Sequence, residues 1–192
     1  MPGGEEVGLD KKKKTYRYKE CDEKKRARFL KKLAKVPEHL RVWVDETGID
    51  DNESYAYGRS PKGERCFATR PGNRTTRISI IAALLMGALL APLWFTGMCN
   101  SAVFNEWFEK ILLPELPKGA VVILDNARFH KSKRLRIIAK AAGITLLFLP
   151  PYSPKDNLIE HEWFPIKNTA RKILQTFHDL HSAVETALLL HD

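Results

Sequence analysis

Cysteine is scarce and scattered in this chain: Cys21, Cys66 and Cys99 are three in 192 residues. An odd, dispersed set argues against a disulfide framework, and no CxxC or Cys/His spacing of a zinc site occurs. A reduced, intracellular setting is the expectation. The amino-terminal stretch MPGGEEVGLDKKKK lacks the apolar segment that directs secretion. Internal repeats are absent, and the one biased tract is the basic run Lys11 to Lys14. Acidic charge is in deficit, 23 Asp and Glu against 32 Lys and Arg, for a formal net charge of +9. That balance is compatible with plain solubility and equally with a polyanionic partner, nucleic acid first among them.

Long uncharged stretches are rare as well, with one exception. Ile78 to Phe95, ISIIAALLMGALLAPLWF, runs 18 residues without a charge, which reaches the threshold for a membrane span. Met86-Gly87 in its middle and Pro92 beyond it point instead to two buried strands joined near the glycine. The chain is expected to have no membrane partner and to be cytoplasmic.

Hydrophobic residues make up 44% of the chain, enough for one substantial core. Residues 1–36 read as a basic linker and a helix. Asp22 is placed to cap that helix, and Phe29, Leu30, Leu33 and Val36 form its apolar stripe. Residues 37–192 read as the main domain. LRVWV (40–44) predicts a strand that ends at DETG, and SYAYGRSPKG (54–63) a second strand with a turn at Pro61 to Gly63. SAVFNEWFEKILL (101–113) has helical spacing. AVVILDN (120–126) predicts a buried strand, KSKRLRIIAKAAG (131–143) a helix closed by Gly143, and ITLLFLP (144–150) another buried strand. LIEHEWFPIKNTARKIL (158–174) is helical in pattern, with a kink or a new turn expected at Pro165. DLHSAVETALLL (179–190) predicts a last helix with Ser182 and Glu185 as a capping box. Strands first, then alternating helices and strands, make an α/β fold: a mixed sheet flanked by helices.

In such a sheet, ligand sites gather at the carboxyl ends of the strands. Asp45 ends VWVDETG, Asp125 ends VVILDNARFH, and Glu160 lies just past ITLLFLPPYSP. VDETG, LDNARFH and LPPYSPKDNLIEHEW, in that order and strand context, resemble the three acidic motifs of the transposases of the mariner superfamily, bacterial insertion-sequence branch. The 34 residues between Asp125 and Glu160 match the spacing this resemblance leads one to expect, and the likeness extends in element order over roughly residues 15–190. It implies a ribonuclease H-like fold, a catalytic triad mapping to Asp45, Asp125 and Glu160, a bacterial host, and double-stranded DNA as partner, namely element ends and a TA-containing target. A second copy of the chain is a further candidate partner.

Three converging carboxylates suit phosphodiester chemistry. Two hard cations roughly 3.5–4 Å apart serve an in-line displacement, and Mg²⁺, or Mn²⁺ in its place, takes carboxylate, water and phosphate oxygens. Asp45 is expected to bridge both ions, with Asp125 and Glu160 each holding one. Pro150, Pro151 and Pro154 stiffen the approach to Glu160, while Ile159, Trp163 and Ile166 anchor its helix. Plainer alternatives stand beside these roles. Asn157 and Glu160 also fit a capping-box variant, and Glu162 is a rival ligand facing about 200° away. Asp45 also suits the start of a DETG turn with Gly48 at positive φ, and Glu46, Asp50 and Asp51 read as solvated turn residues. Asn126, His130 and Asn157 are candidates to support the ligands from behind. For His130 a surface or internally satisfied role is the competing one, and His178 and His181 read as structural. Arg70, Arg74, Arg77, Arg128, Lys131, Lys133 and Arg134 are candidate phosphate contacts.

Two departures from the resemblance matter. Lys155, Asp156 and Asn157-Leu158 stand where the family often has an aspartate and an Asn-Pro pair. Only about 40 residues precede the first strand, too few for the helix-turn-helix DNA-binding modules usual ahead of this domain. The expectation is a catalytic fragment, a second reading frame of a split element working with an upstream-encoded helix-turn-helix protein, or a decayed copy.

Overall fold

The longest strand, β1 (Arg41–Asp50), is also the central one, and its burial dictates the architecture. The computed structural model describes residues 22–53, 57–69, 72–73, 76–177 and 179–191. The basic lead-in with Cys21, and Arg70, Arg74 and His178, lie outside them. β1 pairs antiparallel with β2 (Arg77–Leu85), which pairs antiparallel with β3 (Ala88–Thr96). On its other side β1 pairs parallel with β4 (Val121–Leu124), and β4 parallel with β5 (Thr145–Phe148). The sheet order is β3-β2-β1-β4-β5. Five helices complete the described fold: α1 (Glu23–Leu33), α2 (Ser101–Trp107), α3 (Lys133–Ala141), α4 (Glu160–Phe177) and α5 (Leu180–Leu189). This is the expected α/β mixed sheet with helices on its faces.

Strand alternation sorts the core into two layers. Trp43, Ile49, Ile78, Ile80 and Ile123 face α1, α4 and α5, where Phe29, Ile159, Trp163, Ile166 and Val184 meet them. Val42, Val44, Ile81, Val122 and Leu124 face α2 and α3, against Phe104, Trp107, Phe108 and Leu135. The uncharged run is the β2–β3 hairpin, as its central glycine suggests. Met86 and Gly87 have φ of 53° and 87°, the sign a two-residue primed turn requires at both positions. Pro92 is tolerated because β3 is an edge strand. The register shifts between Ile81 and Ala83, and Ala91 opposite takes φ 52°. The freed backbone groups are satisfied from outside the sheet. Ala91 N–H donates to Glu115 (3.1 Å) and its carbonyl accepts from the Trp107 indole (2.7 Å). No helix among the described residues is long and apolar enough to cross a membrane.

Several sequence expectations need correction. β1 does not stop at Val44. It continues through DETG to Asp50, because Ile49 is fully buried and the whole stretch pairs with β2. Gly48 therefore sits in extended backbone, not a turn, and its bare face carries the Arg77 guanidinium, which a β-carbon there would strike. Residues 57–60 form no strand, though the turn holds, with Glu64 N–H donating to the Pro61 carbonyl at 3.0 Å. α2 runs on as a π-helical turn over Phe108–Leu112. α4 is helical as expected and runs on through Pro165, so no new helix starts there. At α5 the cap is Asp179, whose carboxylate accepts from Ser182 N–H at 2.8 Å, so Ser182 lies inside the helix. Asp22 caps α1 as expected.

α1 also holds the segment before α4. Arg26 makes a two-pronged ion pair with Asp156, both contacts 2.7 Å, and Asp156 belongs to the 3₁₀ turn Pro154–Asp156. The Gly87→Val variant should lose roughly 1–3 kcal/mol of stability in urea unfolding, since a β-branched residue is strained at that φ.

Candidate active site

Adjacent residues of a strand point to opposite faces, so Asp45 and Glu46 part company on β1. Asp45 shares the side of Trp43 and Ile49 and turns toward α4. It is only 8% exposed, and its Oδ2 accepts a 2.9 Å hydrogen bond from the Trp163 indole. Glu46 turns toward α2 and α3 and meets His130, which follows β4. Asp125 ends β4, and its Oδ1 accepts from Ala127 N–H at 2.8 Å and lies 2.6 Å from His130 Nδ1. The other ring nitrogen, Nε2, faces Glu46 Oε2 at 3.3 Å without the alignment of a hydrogen bond. Glu160 opens α4 and is exposed.

Charge couples these groups. Burial pushes the Asp45 carboxyl up to about 7, and the charges of Glu46 and Glu160 add to it against the Trp163 bond. Burial raises Glu160 as well, followed by the Asp125 charge and, more weakly, Glu46. The field of Glu160 thus reaches both aspartates. Asp125 goes the other way. Burial would raise it, but the His130 bond, the Ala127 N–H and the charges of His130 and Lys131 prevail and lower it. Burial would lower His130, yet the contacts with Asp125 and Glu46 lift it to about 9. The ring is an imidazolium at neutral pH, fully buried between two carboxylates and wedged at 4.4 Å against the Phe104 and Phe129 rings.

The remaining expected residues have definite places. Asn126 donates to the Leu149 carbonyl at 2.5 Å, tying the end of β4 to the end of β5 rather than to Asp125. Asn157 is buried, and its Oδ1 has no hydrogen-bond partner among the described residues. The capping-box variant is not formed by its side chain: the Asn157 backbone carbonyl accepts from Glu160 N–H at 3.3 Å. His181 bonds Thr96 at 2.8 Å. Arg77 pairs with Asp50 at 3.2 Å, and Arg134 with Glu106 and Glu109. Those two cations are already neutralised, while Arg128, Lys131 and Lys133 form no ion pair among the described residues.

Two groups escaped the sequence reading. Glu46 is a strand residue, half-buried against His130, not a solvated turn residue. Its signal was Ile49, which continues the alternation past the apparent turn. The Trp163 indole was read as a hydrophobic anchor only. Its signal was the three-residue spacing from Glu160, which stacks the two side chains on one helical face.

The donor set suits a hard divalent cation. Asp45 and Glu160 both hold protons more firmly than ordinary carboxyls, first through desolvation and then through neighbouring negative charge, and a bound cation would offset both. Among the described residues, the acids and histidines whose potential ligand atoms gather within 4.8 Å of one another are Glu46, Asp125 and His130; Asp45 and Glu160 are not part of that group. The contacts that raise His130 favour its protonated form, and a protonated imidazole does not ligate a metal.

Metal-free stability should follow these groups with pH. The folded His130 value lies above its ordinary 6.5, so its contribution is complete below about pH 6.5 and lost as pH rises through about 9. In EDTA, the stability gap between the parent and His130→Gln should shrink across that window by on the order of 3 kcal/mol. Asp45 is raised too, so its ionisation costs stability progressively from its ordinary 3.8 up to about 7. Asp45→Asn should therefore melt higher than the parent at pH 7.5 in EDTA.

Comparison with known proteins adds to this geometry. The sequence profile of the family described as DDE superfamily endonuclease matches residues 41–182. An uncharacterized protein, y4pE/y4sA, of Sinorhizobium fredii is 35% identical over 63 residues, 32% of this chain and 44% of that protein. The fold is similar to that of Mos1 transposase in a paired-end complex with the left transposon end, at TM-score 0.62 and 14% identity over 96% of this chain and 67% of that one. A Mos1 mariner paired-end complex with Mn matches at TM-score 0.62 and 14% identity, covering 96% and 65%. A Mos1 strand transfer complex matches at 0.61 and 13%, again covering 96% and 65%. The chain spans about two thirds of those transposase chains and less than half of the rhizobial protein.

Proposed function

Because the chain belongs to the DDE superfamily endonucleases, we propose that it is the catalytic domain of a DNA transposase, cutting phosphodiesters at element ends and joining the freed 3′-hydroxyl to target DNA. The observation that carries this reading is geometric: Asp45 on β1 and Asp125 just past β4 lie on neighbouring parallel strands, and Trp163, one turn beyond Glu160 on α4, bonds Asp45 at 2.9 Å. Mos1 transposase, similar in fold, is seen paired with a transposon end, in a paired-end complex with Mn and in a strand transfer complex, which supports DNA as substrate and a divalent ion as cofactor.

In this reading Asp45, Asp125 and Glu160 hold two Mg²⁺ or Mn²⁺ ions. Such ions supply charge neutralisation at the phosphoryl oxygens and activation of the attacking oxygen. The residues do the rest. β1 presents Asp45 from a rigid, buried strand. His130 fixes the Asp125 carboxylate from behind, through its Nδ1 contact with Oδ1, and Glu46 balances the ring's charge. The first turn of α4 presents Glu160 after a segment braced by Arg26. Lys131 adds positive charge beside Asp125, favouring approach of a phosphate. A TA target, pairing of two copies, an upstream-encoded DNA-binding partner and a bacterial cytoplasmic setting extend the same proposal.

The test is cleavage of labelled duplexes carrying the element ends, beside random duplexes, in Mg²⁺ or Mn²⁺ and in EDTA. Divalent-dependent nicking confined to element ends is expected, with Asp125→Asn reduced to background. Equal cutting of random duplex would make the chain a general nuclease on this fold. Cleavage by Asp125→Asn at the parental rate would end the triad assignment.

A further inference from the structure

α4 and β1 run side by side in the same direction, and three side chains of α4, spaced four residues apart, each reach the β1 segment. Trp163 donates to Asp45 at 2.9 Å, Lys167 to Thr47 at 3.2 Å, and Arg171 to Glu53 at 2.9 Å through Nε. The pitches agree. Four helical residues rise about 6 Å and two strand residues about 6.6 Å, so 163/45 and 167/47 fall in step. The third rung lands on Glu53 because the chain turns back there. Glu53 N–H donates to the Asp50 carbonyl at 3.0 Å, and its Oε1 accepts from Asp50 N–H at 3.2 Å. The seam is bounded by buried Ile159, just before α4, and Ile166 on α4, and by Trp43 and Ile49 on β1.

We propose that this ladder sets the axial register of α4 on β1, and that Trp163 is its positioning residue: the indole N–H orients the Asp45 carboxylate while the same helical turn carries Glu160. The inference rests on the metal-binding reading of Asp45 and Glu160. Sliding α4 by one residue along β1 would move Glu160 by about 1.5 Å, more than a ligand cage tolerates. Apolar packing alone does not forbid such a slide, because hydrophobic contact is non-directional. Directional polar rungs do. Trp163 is the rung that matters for chemistry, because its acceptor is itself one of the proposed ligands. The bond fixes Oδ2 and with it the orientation of the carboxylate. Lys167 and Arg171 end on residues that take no part in it.

The test replaces Trp163 with benzothienylalanine by nonsense suppression, which keeps the ring shape and exchanges N–H for sulfur; Trp163→Phe serves as a second variant. Mn²⁺ affinity is read from the electron paramagnetic resonance of the free ion, and folding from thermal melting in EDTA. The expected result is Mn²⁺ affinity weaker by roughly 10- to 100-fold in the benzothienyl protein, with a melting transition like the parent's. In ¹⁵N spectra of the parent, the Trp163 indole resonance should move when Mg²⁺ is added and stay still in Asp45→Asn. Parental Mn²⁺ affinity in both Trp163 variants would overturn the inference and leave the metal site standing. A parent that binds no Mn²⁺, or an Asp125→Asn variant that binds it equally well, would overturn the metal-binding reading and this inference together.

Discussion

The side chains of a β-strand alternate, and on β1 that alternation separates two adjoining carboxylates that both lie in the interior. Asp45 and Glu46 cannot share a counter-charge, because they leave opposite faces of the sheet. Each is answered by a different layer. On one side an indole N–H from α4 meets Asp45. On the other a buried imidazolium meets Glu46 and reaches across to Asp125. Neither partner stands near its carboxylate in sequence, so the two helical layers must dock correctly before either charge is accommodated. The arrangement ties burial of the acids to completion of the fold.

The support given to the three acids is uneven. Asp125 rests on a cation and a backbone amide and is the most readily ionised of the three. Asp45 is buried, with two neutral donors, the Trp163 indole and the Glu46 backbone N–H, and two negative neighbours. Glu160 stands at a helix start, exposed, with Asp125 pressing on it. A protein selected for stability alone would not crowd charge in this way. In the function proposed above, a bound divalent ion would offset that charge.

Much of this was legible in the sequence, for reasons that differ by element. The mixed sheet and its order of elements follow from apolar runs of strand length, and the β2–β3 hairpin from Met86-Gly87 and Pro92. Asp125 and Glu160 fall where strand ends put them. What failed was the end of β1. DETG has the composition of a turn, yet pairing with β2 and the burial of Ile49 carry the strand through it, and tertiary contacts outweigh local propensity. Glu46 was misplaced in consequence. The depth of His130 could not be read either, because its burial depends on Phe104, which is distant in sequence. The α5 cap was missed by three residues, since Asp179 and Ser182 are both competent acceptors and the choice rests on where the helix meets the sheet.

The two-pronged grip of Arg26 on Asp156 joins the first described helix to the loop that leads into Glu160, across 130 positions of sequence. A guanidinium and a carboxylate joined by two parallel hydrogen bonds fix direction as well as distance. α1 is thereby fixed in orientation as well as distance to the turn that precedes α4, so the placement of the first helix and that of Glu160 depend on one another.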